Sequence, residues 1–335
     1  MTIVKTCGKL YWAGEYAILE PGQLALIKAI PIYMTAEIKA SNDYRLYSDM
    51  FSYSVDLQPD SSYALIQETV ALVEEYLTAQ EVELQPFSLD VRGKMEREGK
   101  KFGLGSSGSV VVLVIKAMLA FYERLADREL LFKLAGAVLL KRGDNGSMGD
   151  IACIVSENLV LYQSFDREKV ADWLEKEELQ AVLDRDWGFS IRSVEPALKF
   201  DFLVGWTKEV AVSSHMVKQI KDNMNSSFLQ ASKETVANLV KALEVGQEET
   251  IIDLLEQASQ LLEGLSSDIY TPSLRQLKNA SQDLKAVAKS SGAGGGDCGI
   301  ALSFDQDSTT LLKKRWADLG IELLYQERME HDDKS

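Results

Sequence analysis

The chain has 335 residues, 46% of them hydrophobic and 26% charged, with a formal net charge of −15, so it is ordinary globular material with enough length for two cores. So acidic a composition excludes a general electrostatic attraction to nucleic acid or to an anionic membrane face, and an anionic substrate has to be met by a local basic cluster. Cys7, Cys153 and Cys298 are odd in number, far apart and without metal-ligand spacing, and there are two histidines, which argues for free thiols in a cytoplasmic protein and against a His-based zinc site.

In chain order, Met1 to Lys9 has no apolar core of signal-peptide length, and no later run approaches the roughly 18 apolar residues of a membrane span. Ile3 to Ala17 reads as a strand entering a tight aromatic loop, with Trp12 and Tyr16 as packing residues. Lys9 is expected at the end of that strand, where a lysine between apolar neighbours either snorkels to water or faces an anion. Strands are expected over Ala25 to Lys39, within Tyr44 to Val55 and over Phe87 to Val91, with an amphipathic helix from Ser61 to Thr78 between them.

Next comes the stretch that organises the rest, Lys100 to Ser109, rich in glycine and serine. Apolar Val110, Val111, Val114, Met118, Phe121 and Leu125 then mark one face of a helix. Backbone N–H groups at a helix start, backed by the macrodipole, form an anion site, and phosphate is the obvious anion. Gly103, Gly105 and Gly108 also spell G-x-G-x-x-G. A dinucleotide fold would need a buried strand before them, whereas Arg92 to Lys101 is charged. A protein-kinase loop is imitated by Val110, by Lys116 and by Asp186-Trp187-Gly188. That reading fails because His215 and His331 are followed by Met216 and Asp332, not by Arg-Asp. No Walker motif occurs.

A second apolar helix, Leu130 to Leu140, leads into a sharp loop from Lys141 to Asp150, where the carboxylate of Asp150 either caps a helix or works in a site. Leu159 to Tyr162 reads as a strand and Asp166 to Asp186 as one acidic, solvated helix. The pattern breaks at Pro196, and Phe200 to Thr207 opens a second unit with a strand. Val210 to Ser214, a helical run from His215 to Met224, and helices over Ser232 to Leu243, Thr250 to Leu262 and Thr271 to Ala288 follow. Four glycines in Gly292 to Gly296 allow either a hinge or close approach to a ligand. A segment at Cys298 to Leu302, a helix from Thr309 to Leu319, a strand from Ile321 to Tyr325 and a frayed tail from Met329 to Ser335 end the chain. Strands first and helices after point to an α+β fold.

Three segments together, Lys9 to Glu20, Phe102 to Val111 and Lys289 to Leu302, resemble in order and spacing the signature segments of the GHMP kinase superfamily, which contains galactokinase, homoserine kinase, mevalonate kinase and phosphomevalonate kinase. Within it, Lys9 to Tyr16, Asn145 to Asp150 and Lys289 to Asp297 look most like the short bacterial phosphomevalonate kinases. The resemblance implies a two-domain α+β fold, with an ATP-binding unit at 1–195, a C-terminal unit at 196–335 and the active site in the cleft between them. It implies ATP as co-substrate, Mg²⁺, and phosphomevalonate as acceptor. Mevalonate kinase is the alternative, then the related decarboxylase, then a ligand-sensing member without turnover. On this resemblance Gly103, Gly105, Ser106, Ser107 and Gly108 surround the ATP phosphates, with Ser107 also on the metal. Lys9 and Asp150 flank the transferred phosphoryl group, and Ser147, Ser213, Ser291, Gly292, Ala293 and Gly294 face the acceptor. The family usually has alanines where this chain has Gly108 and Ser109; both are small enough to keep the loop geometry. Lys101 and Arg192 are the candidate cations for the acceptor's phosphate. That phosphate is largely ionised at neutral pH, its second pKa being about 6, so Asp150 is expected to orient Lys9 and the phosphates more than to act as a base. The oligomeric state is left open.

Overall fold

In the computed structural model, which describes residues 1–209, 220 and 223–330, a 17-residue strand, β2 (Leu24–Ala40), is the spine of the first sheet. β1 (Thr2–Ala13) runs antiparallel along one edge of it. The other edge is shared: β8 (Leu159–Gln163) pairs with Leu24 to Lys28, and β5 (Phe87–Arg92) pairs with Thr35 to Ala40. Pro31 lies in the gap between these partners, where its missing N–H costs no ladder bond, and β1 shifts register opposite it, between Thr6 and Gly8. β3 (Arg45–Ser48), parallel to β5, and β4 (Ser54–Val55) extend one flank, while β9 (Ser190–Ser193) extends the other.

Four helices pack on this sheet and on one another: α1 (Ala64–Ala79), α2 (Ser106–Phe121), α3 (Arg128–Lys141) and α4 (Gly149–Ser156). α2 is apolar nearly all round, with Val111 to Ile115 at zero exposure, because it touches β1, β2, α1, α3 and α4. It ends before the expected Leu125, which is exposed. Glu123 adopts a left-handed φ of 53° and Arg124 N donates to Leu119 O at 2.8 Å, a six-to-one closure that stops the helix. The acidic stretch expected as one helix is two, α5 (Arg167–Lys176) and α6 (Leu179–Leu183), because Glu177 is extended and interrupts the hydrogen-bond ladder.

The second sheet is antiparallel, with β10 (Phe200–Trp206), β11 (Ala286–Ser290), β12 (Cys298–Ser303) and β13 (Glu322–Met329) in the order β11-β12-β10-β13. α7 (Ser226–Val245), α8 (Glu248–Leu265), α9 (Pro272–Asn279) and α10 (Gln306–Asp318) accompany it. The helix expected from Thr271 to Ala288 is therefore only α9, opened by the Thr271 cap and Pro272. After a turn at Asp283 (φ 64°) the chain becomes β11. The segment at 210–214 and most of the helix expected over 215–224 lie outside the described residues, as does Ser213. The strand expected from Ile321 to Tyr325 runs over Glu322–Met329, with Met329 opposite Phe200, and of the tail expected from Met329 to Ser335 residues 331–335 lie outside the described residues.

The two sheets share one apolar core. Trp12, fully buried near the end of β1, meets Phe200 and Phe202 of β10 at ring-centroid distances of 6.0 and 5.2 Å. A two-stranded hairpin, β6 (Glu96–Arg97) with β7 (Lys100–Lys101), leads into the glycine loop. It docks on the second sheet through Phe102, edge-on to Trp206 at 4.9 Å, and through an ion pair between Arg97 and Glu322. Among the described residues, no helix is long and apolar enough to cross a membrane.

Candidate active site

No side chain caps the start of α2. Its Ncap is Gly105, in the left-handed region at φ 79°, and the first turn holds no acidic residue. Gly103 turns the same way, at φ 76°. Ser106, Ser107 and Gly108 thus stand at the positive end of a 16-residue helix, a ready anion site. A Cβ at 105 would lie 2.8 Å from Cε of Lys9, so glycine both turns the chain and admits the lysine. Lys9 is not at a strand end as expected. It sits inside β1, opposite Ala29 and 8% exposed. Its Nζ donates to Gly103 O at 3.2 Å, which uses one of three hydrogens, and its backbone N donates to Leu104 O at 3.0 Å. Ser109 Oγ donates to Cys7 O at 2.7 Å, and Thr6 Oγ1 to Ser109 O at 3.1 Å. The strand is therefore bound to the glycine loop and to α2 at Thr6, Cys7 and Lys9.

Asp150 lies in the first turn of α4, two residues after its left-handed Ncap, Met148. α4 crosses α2 so closely that a Cβ on Gly108 would lie 2.5 Å from Oδ2 of Asp150. The carboxylate therefore sits against the first turn of α2 and beside Lys9. Burial pushes its carboxyl above the usual carboxylate range, Lys9 pulls it back down, and Asp144 adds a smaller upward push. Ser147 is fixed from several sides: its Oγ shares a 3.0 Å hydrogen bond with Tyr11 OH and accepts from Gly149 N at 3.2 Å, while its carbonyl accepts from Tyr162 OH at 2.9 Å. Burial first, and the Asp150 charge second, push the Tyr11 phenol up, so it stays neutral. Burial raises Cys7 to about 11 and Cys153 and Cys298 well above the usual thiol value, so none of the three is a thiolate nucleophile.

The glycine stretch closes this face from the second sheet. Ser291, buried, donates through Oγ to Tyr11 O at 2.8 Å, and Ala293 O accepts from Tyr16 OH. Gly294 lies against Ile269, whose carbonyl accepts from Gly295 N at 2.9 Å, and Gly292 faces open space. Lys101 is exposed on β7, directly before the loop. Arg192 departs from expectation. It is bound to Glu244 of α7 in an ion pair between the two halves, and among the described contacts nothing links it to the loop. The site also uses residues that the sequence reading left as packing or did not single out. Tyr11 and Tyr16 hold Ser147 and Ala293, Glu15 pairs with Lys289, and Asp297 packs its carboxylate against Gly103, where a Cβ would lie 2.6 Å from Oδ2. All fall inside the three signature segments, which was the available signal.

Residues 64–158 match the family model of the GHMP kinases N-terminal domain, and residues 239–322 match that of the GHMP kinases C-terminal domain. The structure of Streptococcus pneumoniae phosphomevalonate kinase in complex with phosphomevalonate and AMPPNP superposes with a TM-score of 0.97 at 73% identity, over 98% of this chain and 100% of that one. A phosphomevalonate kinase from Streptomyces sp. (strain CL190) is 29% identical over 356 residues, 96% of this chain and 95% of that one. Methanococcus jannaschii mevalonate kinase, at 20% identity and a TM-score of 0.73 over 98% of each chain, shares the fold.

Proposed function

We propose, for a chain that belongs to the GHMP kinase family, that it transfers the γ-phosphoryl group of ATP to the phosphate of phosphomevalonate, giving diphosphomevalonate and ADP. The observation that carries the acceptor is the whole-length likeness to the S. pneumoniae enzyme whose structure holds phosphomevalonate and AMPPNP. The geometry supports the chemistry independently. An uncapped helix start, a buried lysine and a carboxylate meet at one point, and phosphoryl transfer needs alignment and charge neutralisation more than covalent chemistry.

Gly103 to Gly108 cradle the ATP phosphates through backbone N–H groups and the Ser106 hydroxyl. Lys9, held over the loop by Gly103 O, faces the phosphoryl group in transit. Asp150 holds Lys9 and the bound phosphates in register. The acceptor oxygen already carries charge at neutral pH, so no proton need be removed from it. Ser147, Ser291 and the glycine stretch flank the acceptor, and exposed Lys101 meets its phosphate. Ser213 is kept on the substrate side by resemblance alone; Arg192 is not, given its bond to Glu244.

A divalent cation fits this donor set as something that arrives with the triphosphate. Among the described residues, no three His, Cys, Asp or Glu side chains are grouped to hold a metal, whereas Ser107 is an exposed hydroxyl on the first turn and Asp150 lies beneath Gly108. Mg²⁺ bound mainly by phosphate oxygens and water matches that chemistry, and it would neutralise the charge of the phosphates. The division at 195 and 196 is supported by β9, which ends at Ser193 in the first sheet, and β10, which starts at Phe200 in the second. Three buried free cysteines suit a reducing cytoplasm.

The test is ADP release with ATP and Mg²⁺, run in parallel on phosphomevalonate, mevalonate, homoserine and galactose, with Asp150→Ala as control. Turnover on phosphomevalonate alone is expected. Turnover on mevalonate would overturn the acceptor-phosphate reading, and silence on all four would reopen a ligand-sensing role.

A further inference from the structure

Beyond the phosphate loop, the two sheets are joined by a buried ion pair. Lys289 of β11 places Nζ 2.5 Å from Oε1 of Glu15, which follows β1, and the side chains are 1% and 3% exposed. The same Nζ donates to Ser290 O at 2.6 Å, so the amine also fixes the carbonyl at the root of the glycine stretch. Ser290 N donates to Tyr270 OH at 3.1 Å, which shares a 2.6 Å hydrogen bond with Ser259 Oγ. Next along the chain come the Ser291 bond to Tyr11 O and the Tyr16 bond to Ala293 O. Between Tyr11 and Tyr16 the chain thus makes three successive ties to residues 289–293, and Lys9 lies two residues before the first. At the far end of the stretch, Asp297 packs on Gly103 and its N–H donates to Glu209 O at 2.8 Å.

A buried ion pair is weak evidence of stability, since an apolar pair of similar size often stabilises as well or better. What it does supply is direction and a fixed separation. We propose that Glu15 and Lys289 are a positioning pair: they set the distance and orientation of the glycine stretch relative to Lys9 and the phosphate loop, and so align the acceptor with the γ-phosphate. Both side chains are buried, and the role proposed for them is to position, not to react. In-line transfer requires reacting atoms about 3 to 3.5 Å apart, and small misplacements there are costly. The pair acts on the acceptor because the segment it roots, Ser291 to Gly294, is the one assigned to the acceptor side. The inference thus rests on the phosphomevalonate reading above.

The experiment compares wild type with Lys289→Met, Glu15→Gln and the double variant Glu15→Leu/Lys289→Met, following steady-state kinetics, melting temperature and amide exchange at 291–296. Removing one partner strands a buried charge, so Lys289→Met is expected to melt lower. The double variant removes both charges and regains stability. If the pair positions, kcat/KM for phosphomevalonate stays down about tenfold or more in the double variant, KM for ATP holds within about twofold, and exchange at 291–296 accelerates. Glu15→Gln, which keeps an acceptor for the amine, is expected to retain the most activity. Recovery of stability, acceptor kinetics and slow exchange together in the double variant would overturn the proposal, as would equal losses toward ATP and acceptor. Failure of the underlying reading shows separately, as a wild-type enzyme silent on phosphomevalonate, and the exchange measurement still decides whether the pair roots the stretch.

Discussion

Gly108→Ala separates catalysis from stability more sharply than a deletion in the site would. Position 108 is helical, buried and free of left-handed strain, so alanine should gain up to about 1 kcal/mol of helix propensity over glycine. The new methyl, however, lands 2.5 Å from Oδ2 and 3.1 Å from Cγ of Asp150, while ordinary contacts begin near 3.4 Å. The carboxylate must retreat by about 0.9 Å, and a displacement near 1 Å at a reacting centre costs about a hundredfold. Asp150 has few ways to yield, because it is one turn into α4 and bounded by α2. The expected variant folds with a melting temperature at or near that of wild type, binds ATP, and turns over phosphomevalonate roughly a hundredfold more slowly. Coupled ADP release and thermal melting on one preparation check this. Full kcat at unchanged stability would refute the idea that Asp150 must stay where it is. It would also favour the simpler view that a small residue of either kind serves, as in relatives with alanine there.

Lys9→Met removes the charge that pulls the Asp150 carboxyl down, leaving burial and Asp144 to push it up, so the acid limb of the pH profile of kcat should move to higher pH while kcat falls at least about a hundredfold; an unmoved limb would uncouple the two. Asp150→Asn should lose most turnover yet melt higher at neutral pH. A carboxyl raised in the fold favours the folded state most below its unfolded value, about 3.9, and that contribution is lost as pH rises through the folded value. The melting difference between variant and wild type should therefore vanish near pH 4 and grow toward neutrality, and rescue of its turnover at high pH would return Asp150 to the role of base. Lys101→Ala should raise KM for phosphomevalonate far more than KM for ATP, and equal effects would remove it from the acceptor site. Ser109→Ala deletes a buried 2.7 Å hydrogen bond to Cys7 O and should cost about 1 kcal/mol in chemical denaturation with kcat unchanged.

α2 was legible because the glycines that open it and its apolar period carry local physics. Its end was not, because Leu125 continued the period while Glu123 had already turned left-handed. The split of the acidic helix at Glu177 left no glycine or proline to see. β11 was hidden for a related reason: Ala286, Val287, Ala288 and Lys289 follow a helical run without a breaker, and a lysine is an unlikely reading for a fully buried position. Its burial is made possible by Glu15, 274 residues away, which no window of sequence connects. The partner of Arg192 was not legible, since a basic residue at a junction looks the same in sequence whether it meets a substrate phosphate or, as here, Glu244. Lys9 stands out by its apolar neighbours, but nothing local shows that β1 runs on past it to Ala13, paired with β2 through two register shifts.

The uncapped start of α2 also bears on how long the protein lasts. Serine, threonine, aspartate and asparagine are the preferred residues for completing a helix's first turn; this helix has no side chain in that role, and on the proposed function a polyphosphate takes it. A ligand that binds only the folded chain adds about 2.7 kcal/mol at a hundred times its dissociation constant. Resistance to unfolding and proteolysis would then rise and fall with the nucleotide supply, and the same loop that performs the chemistry would make the enzyme's lifetime a gauge of cellular energy.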